Sequence, residues 1–414
     1  MEATRDALND EQSIAIQWID QGYNTFLTGV AGTGKTFLLN AWLSDTDKNV
    51  AITASTGIAA THLGGQTLHS WLAAAPERDT VTRLCTNAWR ERHAPRLASI
   101  DVLVIDEISM VDGKLLELAE GAHRYAREND VPWGGVQIVM VGDLGQLPPV
   151  QAQENGWCFQ SRAWATSKVQ IMELCKTMRQ ADQEFADLLR KARVGDTSYE
   201  MHQALEARVG AYDPSKDAVR LMTHNDQADE VNDCQLEELD DIKEFHASET
   251  GARHHLNRMH KHCLSPLVLK VAVDARVMFT RNDPAGRFVN GTMGEVTGFN
   301  TDMIHVLLDN GDEVEVGRFV WEMKEWTNEG LLEVVASRTQ FPLRLAWAIT
   351  IHKSQGMSLD RVSVDLSRCF SPGQAYVALS RCRSLEGLNI EDWKGLASIM
   401  VHPMIRASYG ATVS

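Results

Sequence analysis

One octapeptide, Gly29-Val30-Ala31-Gly32-Thr33-Gly34-Lys35-Thr36, limits what this chain can fold into more than any other stretch. An apolar run, Thr25-Phe26-Leu27-Thr28, precedes it, and a helical pattern from Phe37 to Leu43 follows. Strand, glycine loop and helix form the setting that a G-x-x-x-x-G-K-[ST] match requires. Gly29, Gly32 and Gly34 let the backbone turn its N–H groups inward, with Ala31 and Thr33 inside the same cradle, and the helix N-terminus adds partial positive charge. Lys35 is then placed to reach the β- and γ-phosphates of a nucleoside triphosphate, and the Thr36 hydroxyl to ligate Mg²⁺.

At 414 residues the chain is long for one core, so about two to three domains are expected. No apolar run approaches the ~18 residues of a membrane span. The N-terminus lacks a secretory core and an arginine-rich transit pattern, so a cytoplasmic location is expected. Seven scattered cysteines without CxxC pairs fit reduced thiols and argue against an iron–sulfur cluster or zinc ribbon. The formal net charge of −16 argues against nucleic-acid binding by bulk charge. A nucleic-acid partner would need a local positive groove in an acidic body.

Ahead of the loop, Asn9 or Asp10 can cap a helix through Ile19, on which the Gln12 amide could read an adenine edge. After the loop, the short strand Asn49 to Ala54 runs into Ser55-Thr56-Gly57-Ile58-Ala59-Ala60 and then Thr67-Leu68-His69-Ser70-Trp71. Small hydroxyl residues and glycines there suit a grip on a phosphate backbone, or equally a polar loop and cap. Residues 72–99 carry Arg78, Arg83, Arg90, Arg92 and Arg96, with Trp71 and Trp89 interleaved. That mixture suits single-stranded nucleic acid, or a solvated helix face.

Asp101 to Ile105 reads as a buried parallel strand ending in Asp106 and Glu107. Ligands of open α/β sheets bind at that edge. Asp106 would hold Mg²⁺, and Glu107 would orient and deprotonate the attacking water. Val136 to Val141 is another such strand, leading to Gly142-Asp143 and to Gln146, whose amide could contact the γ-phosphate or the water. With Val169 to Leu174, five strands make one doubly wound lobe over residues 1–175, with 72–99 as a small inserted wedge.

A second lobe is expected over 176–284 and 342–402, with strands at Val219–Asn225, Leu343–Thr350 and Arg361–Leu366. It has no glycine loop of its own and would close over a nucleotide held by the first. Asn290-Gly291, Asn310-Gly311 and alternating runs between about 285 and 341 predict short strands and tight turns, a small β-barrel inserted into this lobe. Residues 403–414 would be a tail. The stretch Arg253 to Cys263 is rich in possible metal ligands, but its spacing fits no standard zinc pattern.

Together these motifs resemble the Pif helicases of superfamily one, the 5′-to-3′ subgroup that includes RecD-like and Dda-like enzymes. The resemblance runs in order from Leu8 to about Ile390. It takes in Gln12, Gly29 to Thr36, Thr53 to Ala60, Thr67 to Ser70, Asp106-Glu107, Pro132 to Gln137 leading into Gly142-Asp143, and Asp274 to Gly294. Its late motifs are Thr350-Ile351-His352-Lys353-Ser354-Gln355-Gly356-Met357 and Tyr376-Val377-Ala378-Leu379-Ser380-Arg381. The family implies two RecA-like α/β lobes with an SH3-like insertion at 285–341. It also implies a monomeric, ATP- and Mg²⁺-dependent motor on single-stranded, forked or structured DNA, serving replication, repair or recombination.

By the same resemblance Arg179 and Arg381 would reach from the second lobe to the γ-phosphate, beside Gly356 in the nucleotide cleft. Thr56, Gly57, His69, Thr350, His352 and Lys353 would contact the DNA. The short segment before Asp106 leaves little room for a large strand-separating pin. A translocase with weak unwinding, or a catalytically silent DNA-binding module, are the alternatives.

Overall fold

The computed structural model describes residues 5–410 apart from 56–59, 61–62, 75–79, 150–153, 155, 177–182, 214–217, 264 and 327–331. Six parallel strands, β1 (Thr25–Gly29), β2 (Val50–Ala54), β3 (Gln66–Thr67), β4 (Val102–Asp106), β5 (Gln137–Val141) and β6 (Gln170–Leu174), form the first sheet in the order β3-β2-β4-β5-β1-β6. The runs of β1, β4 and β5 look unbroken in sequence because both faces are covered. Phe26, Leu103, Ile105, Ile138 and Met140 pack on one side with Leu116 and Ala119 of the helix Gly113–Arg127. Leu27, Val102, Val104, Val139 and Val141 pack on the other, with Ile16 and Ile19 of the helix Asp10–Asp20 and Leu38 and Trp42 of the helix Lys35–Leu43. The C-terminal tips of β4, β5 and β1 stand side by side, so the Gly29 loop, Asp106-Glu107 and Gly142–Gln146 meet at one edge. The sixth strand, β3, is two residues long, too short for any alternation to mark it.

The arginine–tryptophan stretch behaves differently from its expected role as a stacking surface. Trp71 and Trp89 are buried. Trp71 Nε1 donates to His123 Nε2 (3.2 Å) and Trp89 Nε1 to the Leu72 carbonyl (2.9 Å), while Arg96 lies over the Trp71 ring. These indoles hold helix to helix, and no base can stack on them.

His123 sits between Trp71 and Trp133, with Nδ1 on the Ala119 carbonyl at 2.8 Å. Burial first, and then Arg127 and Arg96, pull its pKa down to about 4. An unfolded histidine takes its proton near pH 6.5, so the unfolded state binds more protons between 6.5 and 4, and stability falls as pH is lowered through that window. The shift corresponds to roughly 3 kcal/mol. Urea midpoints from pH 7 to 4.5 should show this loss, and His123→Gln should remove that share of the slope; an unchanged slope would refute the buried neutral imidazole.

The second half opens with β7 (Val219–Met222), followed by β8 (Lys243–His246), β9 (Ser248–Gly251), β10 (Val268–Val271), β11 (Arg276–Phe279), β12 (Met293–Phe299), β13 (Ile304–Leu308) and β14 (Glu313–Val316). Then come β15 (Phe319–Trp326), β16 (Leu332–Gln340), β17 (Leu343–Leu345), β18 (Ala348–Thr350), β19 (Val362–Asp365) and β20 (Leu388–Asp392). A second parallel sheet runs β18-β7-β19-β20. Antiparallel sheets β14-β13-β12-β11-β17 and β15-β16-β9 lie between its strands in sequence. They draw on β9, β11 and β17, outside the 285–341 span expected for the insertion.

The single strand expected at Leu343–Thr350 is therefore two. Ala346 N–H still bonds Arg276 in the antiparallel sheet, whereas the Trp347 carbonyl already accepts from Arg220 in the parallel one. In the histidine-rich stretch, the helix Arg253–His262 places His260 Nε2 3.0 Å from Glu249. Among the described residues, no three side chains gather as a metal-binding group, and no helix is long and apolar enough to cross a membrane.

Candidate active site

The loop after β1 is built tightly. Gly29 has φ +150°, and a Cβ there would lie 2.5 Å from the Leu174 carbonyl oxygen and 2.8 Å from Thr33 Oγ1. Gly34 caps the following helix in the left-handed region. Lys35 Nζ donates to the carbonyls of Gly29 (2.9 Å) and Val30 (3.1 Å). Burial lowers its pKa, opposed by Asp143, Glu107 and Asp106. Thr36 is exposed one residue on.

Gln12 is fully buried. Its Oε1 accepts from Asn9 N–H (3.1 Å), closing a capping box, and its Nε2 donates to the Thr33 carbonyl (3.4 Å). The amide braces the glycine loop, a role for which the Asn9-x-x-Gln12 spacing was the available signal.

Across the edge, Asp106 ends β4 buried, and Glu107 follows in the left-handed region at φ 49°. Glu107 N–H donates to Asp106 Oδ1 (2.9 Å). Burial, reinforced by Glu107, pushes the Asp106 pKa up to about 7, and burial raises Glu107 as well. Two desolvated carboxylates beside the Lys35 ammonium carry surplus negative charge. That donor set fits a divalent cation held by Asp106, with the exposed Thr36 hydroxyl as a further hard oxygen ligand.

Next to them, buried Asp143 accepts from Arg193 Nε (2.7 Å), Gly145 N–H (3.0 Å) and the Tyr376 hydroxyl (2.7 Å). The same Tyr376 oxygen accepts from Ala31 N–H at 3.1 Å. Arg193 also reaches Thr28 Oγ1 (3.1 Å) and pairs with Glu173. A residue from the second half thus locks the glycine loop to the Gly142–Gln146 loop.

Gln355 makes the other crossing. Its Nε2 donates to Gln146 Oε1 (3.0 Å) and to Glu107 Oε2 (3.2 Å). Close approach of the two halves depends on Gly373, at φ +77°, where a Cβ would come within 2.2 Å of the Gln146 carbonyl oxygen. Arg381 is buried and braces the turn carrying Gln355 and Gly356. Its Nη1 donates to the Ser354 (3.2 Å) and Met357 (3.3 Å) carbonyls, and its Nε to Val377 (2.9 Å). Its charge is close enough to Glu107 to oppose the burial shift there. Arg179 lies outside the described residues.

Sequence reasoning passed over Asp143, Arg193, Gln355 and Tyr376 as site residues, although three of them stand inside stretches it had singled out. Gln355→Ala should leave nucleotide binding intact while turnover falls about 10²-fold, because the base loses its positioning donor. Unchanged turnover would reduce Gln355 to packing.

The residues expected on a nucleic-acid track stand at the C-terminal edges of the two parallel sheets. His69 lies in the first turn of the helix Leu68–Leu72, which Thr67 caps. Thr350 is buried at the end of β18, with Oγ1 accepting from Lys353 N–H (3.3 Å). His352 is exposed and Lys353 half-buried. Thr56 and Gly57 lie outside the described residues.

Comparison with known proteins bears on the family and the fold. The profile of the family described as PIF1-like helicase matches residues 7–203. The chain is 38% identical over 408 residues to the ATP-dependent DNA helicase Pif1 of Bdellovibrio bacteriovorus, covering 97% of this chain and 91% of that protein. It is 36% identical to the human ATP-dependent DNA helicase PIF1, of whose length it spans 62%. The structure of Bacteroides sp Pif1 in complex with ADP-AlF4 superposes with a TM-score of 0.84 at 32% identity, over 98% of this chain and 97% of that one. Bacteroides Pif1 bound to ssDNA superposes at 0.72, with 33% identity over 98% of this chain and 96% of that one.

Proposed function

This chain belongs to the PIF1-like helicase family, and from that premise we propose that it is an ATP-dependent DNA helicase moving 5′-to-3′ along single-stranded DNA. The observation that carries the reading is the placement of Gln355, three residues beyond the exposed His352, between Glu107 and Gln146. A nucleotide cleft is thereby joined through one short turn to a nucleic-acid edge.

In this reading the glycine loop and Lys35 hold the triphosphate, Glu107 takes the proton from the attacking water, and Gln146 orients that water. Mg²⁺ held by Thr36 and Asp106 would offset charge on the phosphates. Arg381 keeps the Ser354–Met357 turn in register, so that a change in the grip on DNA at Thr350, His352 and Lys353 reaches Glu107. Tyr376 and Gly373 close the two lobes on each other, and alternating closure and release would advance the strand. Seven free cysteines support a reducing, cytoplasmic setting.

The test is unwinding of paired 5′-tailed and 3′-tailed duplexes with ATP and Mg²⁺. Strand separation of the 5′-tailed substrate alone is expected. Equal activity on both would overturn the polarity, and activity on neither, the helicase reading. His352→Ala should weaken stimulation by single-stranded DNA more than basal hydrolysis, and an equal fall in both would move His352 to the nucleotide cleft.

A further inference from the structure

Beside the turn that carries His352 and Lys353 stands a second cation, Arg344. Arg344 on β17 is half-buried, and its Nε is enclosed with no hydrogen-bond acceptor. Among the described residues neither Arg344 nor Lys353 forms a salt bridge, in a chain that carries a formal charge of −16. The two stand near each other, and Asp229, exposed on the helix Asn225–Glu237, is the carboxylate acting on both. Enclosed cations with so little compensation are costly unless an anion completes them.

Close to His352 of the same turn is an exposed ring pair. Phe370 is 58% exposed and stacks on His224 with centroids 5.2 Å apart and planes at 27°. Both are held from behind. Thr223 Oγ1 lies 2.9 Å from His224 Nδ1, and Phe370 N–H donates to Gln374 Oε1 at 3.0 Å. His224 follows β7, which pairs with β18 up to Met222 opposite Thr350, and the Ile351 N–H continues that pairing onto the Met222 carbonyl (2.9 Å). The rings, His352 and Lys353 therefore stand at the C-terminal edge of the second sheet, and Arg344 approaches Lys353 from β17 of the antiparallel sheet.

We propose that Arg344 and the His224–Phe370 ring pair form a previously unassigned part of the single-strand binding surface, Arg344 with Lys353 taking backbone phosphates and the rings taking a base. The chemistry suits single-stranded rather than duplex DNA, because an exposed ring face is matched by an unpaired base and a cation pair by the adjoining phosphates. This rests on the DNA-motor reading above and extends it to residues outside the motifs.

The test is binding of the full chain to a labelled oligothymidylate across a salt series, with a melting temperature recorded for each variant. Phe370→Ala should weaken binding about 5- to 100-fold without changing the salt slope, and Phe370→Trp should restore it. Arg344→Gln should weaken binding and make the slope of log K against log salt shallower by about 0.7 for the lost phosphate contact. Wild-type affinity and slope in both folded variants, with Lys353→Ala still impaired, would overturn this inference while leaving the motor reading standing. Failure of the wild-type chain to bind the oligonucleotide would overturn both. Should Arg344→Gln not fold, the exposed Phe370 pair decides, and wild-type affinity in Phe370→Ala rejects the proposal.

Discussion

Lys35→Ala is expected to lower DNA-stimulated phosphate release by about 10³-fold or more, on the scale of removing a principal charge-stabilising donor. The lysine stands beside Asp106, Glu107 and Asp143, all of which act on its charge. Its removal takes away the ammonium that reaches the transferring phosphoryl group, and it also leaves the surplus of buried carboxylates larger. The two losses are separable. The first appears as lost turnover at saturating ATP, and the second as weaker binding of ATP·Mg²⁺ and a further rise in the Asp106 and Glu107 pKa values. The loop backbone itself should survive, since Gln12 and Thr33 Oγ1 hold it through the Thr33 and Val30 carbonyls independently of the lysine. Phosphate release with and without oligonucleotide, beside a melting curve, checks the outcome. Normal turnover in the folded variant would remove the glycine loop from the catalytic site.

How far the site could be read in advance follows from the range over which its contacts act. The strands β1, β4 and β5 were legible because burial on both faces leaves them as unbroken apolar runs, and the glycine loop and the carboxylate pair because each is contiguous. β3 was not, having two residues, and the turn between β17 and β18 was hidden because Leu343–Thr350 is apolar on either side of a change of partner strand. Trp71 and Trp89 misled because an arginine-rich helix can bury its aromatics beneath its own cationic face. The contacts of Tyr376 with Asp143 and of Gln355 with Gln146 join residues 233 and 209 positions apart, a separation no local pattern reports.

Glu107→Gln should retain ATP·Mg²⁺ binding while turnover falls by about 10²- to 10⁴-fold, the usual contribution of a general base. Glutamine keeps an oxygen for the Gln355 amide and the same backbone at φ 49°, so geometry is preserved and only the proton acceptor is lost. Because burial holds the Glu107 pKa above the ordinary carboxylate range, the wild-type rate should climb with pH on an acid limb displaced upward, and the residual rate of the variant should lack that limb. Stability should move the opposite way. A carboxyl whose folded pKa is raised favours the folded state below its unfolded pKa and loses that advantage as pH rises through the folded value. At neutral pH in EDTA, Glu107→Gln should therefore melt higher than the wild type, with the difference shrinking toward pH 4. The combination of higher melting temperature, intact nucleotide binding and lost turnover separates a base held in a costly desolvated site from a structural carboxylate, whose removal would lower stability and binding together.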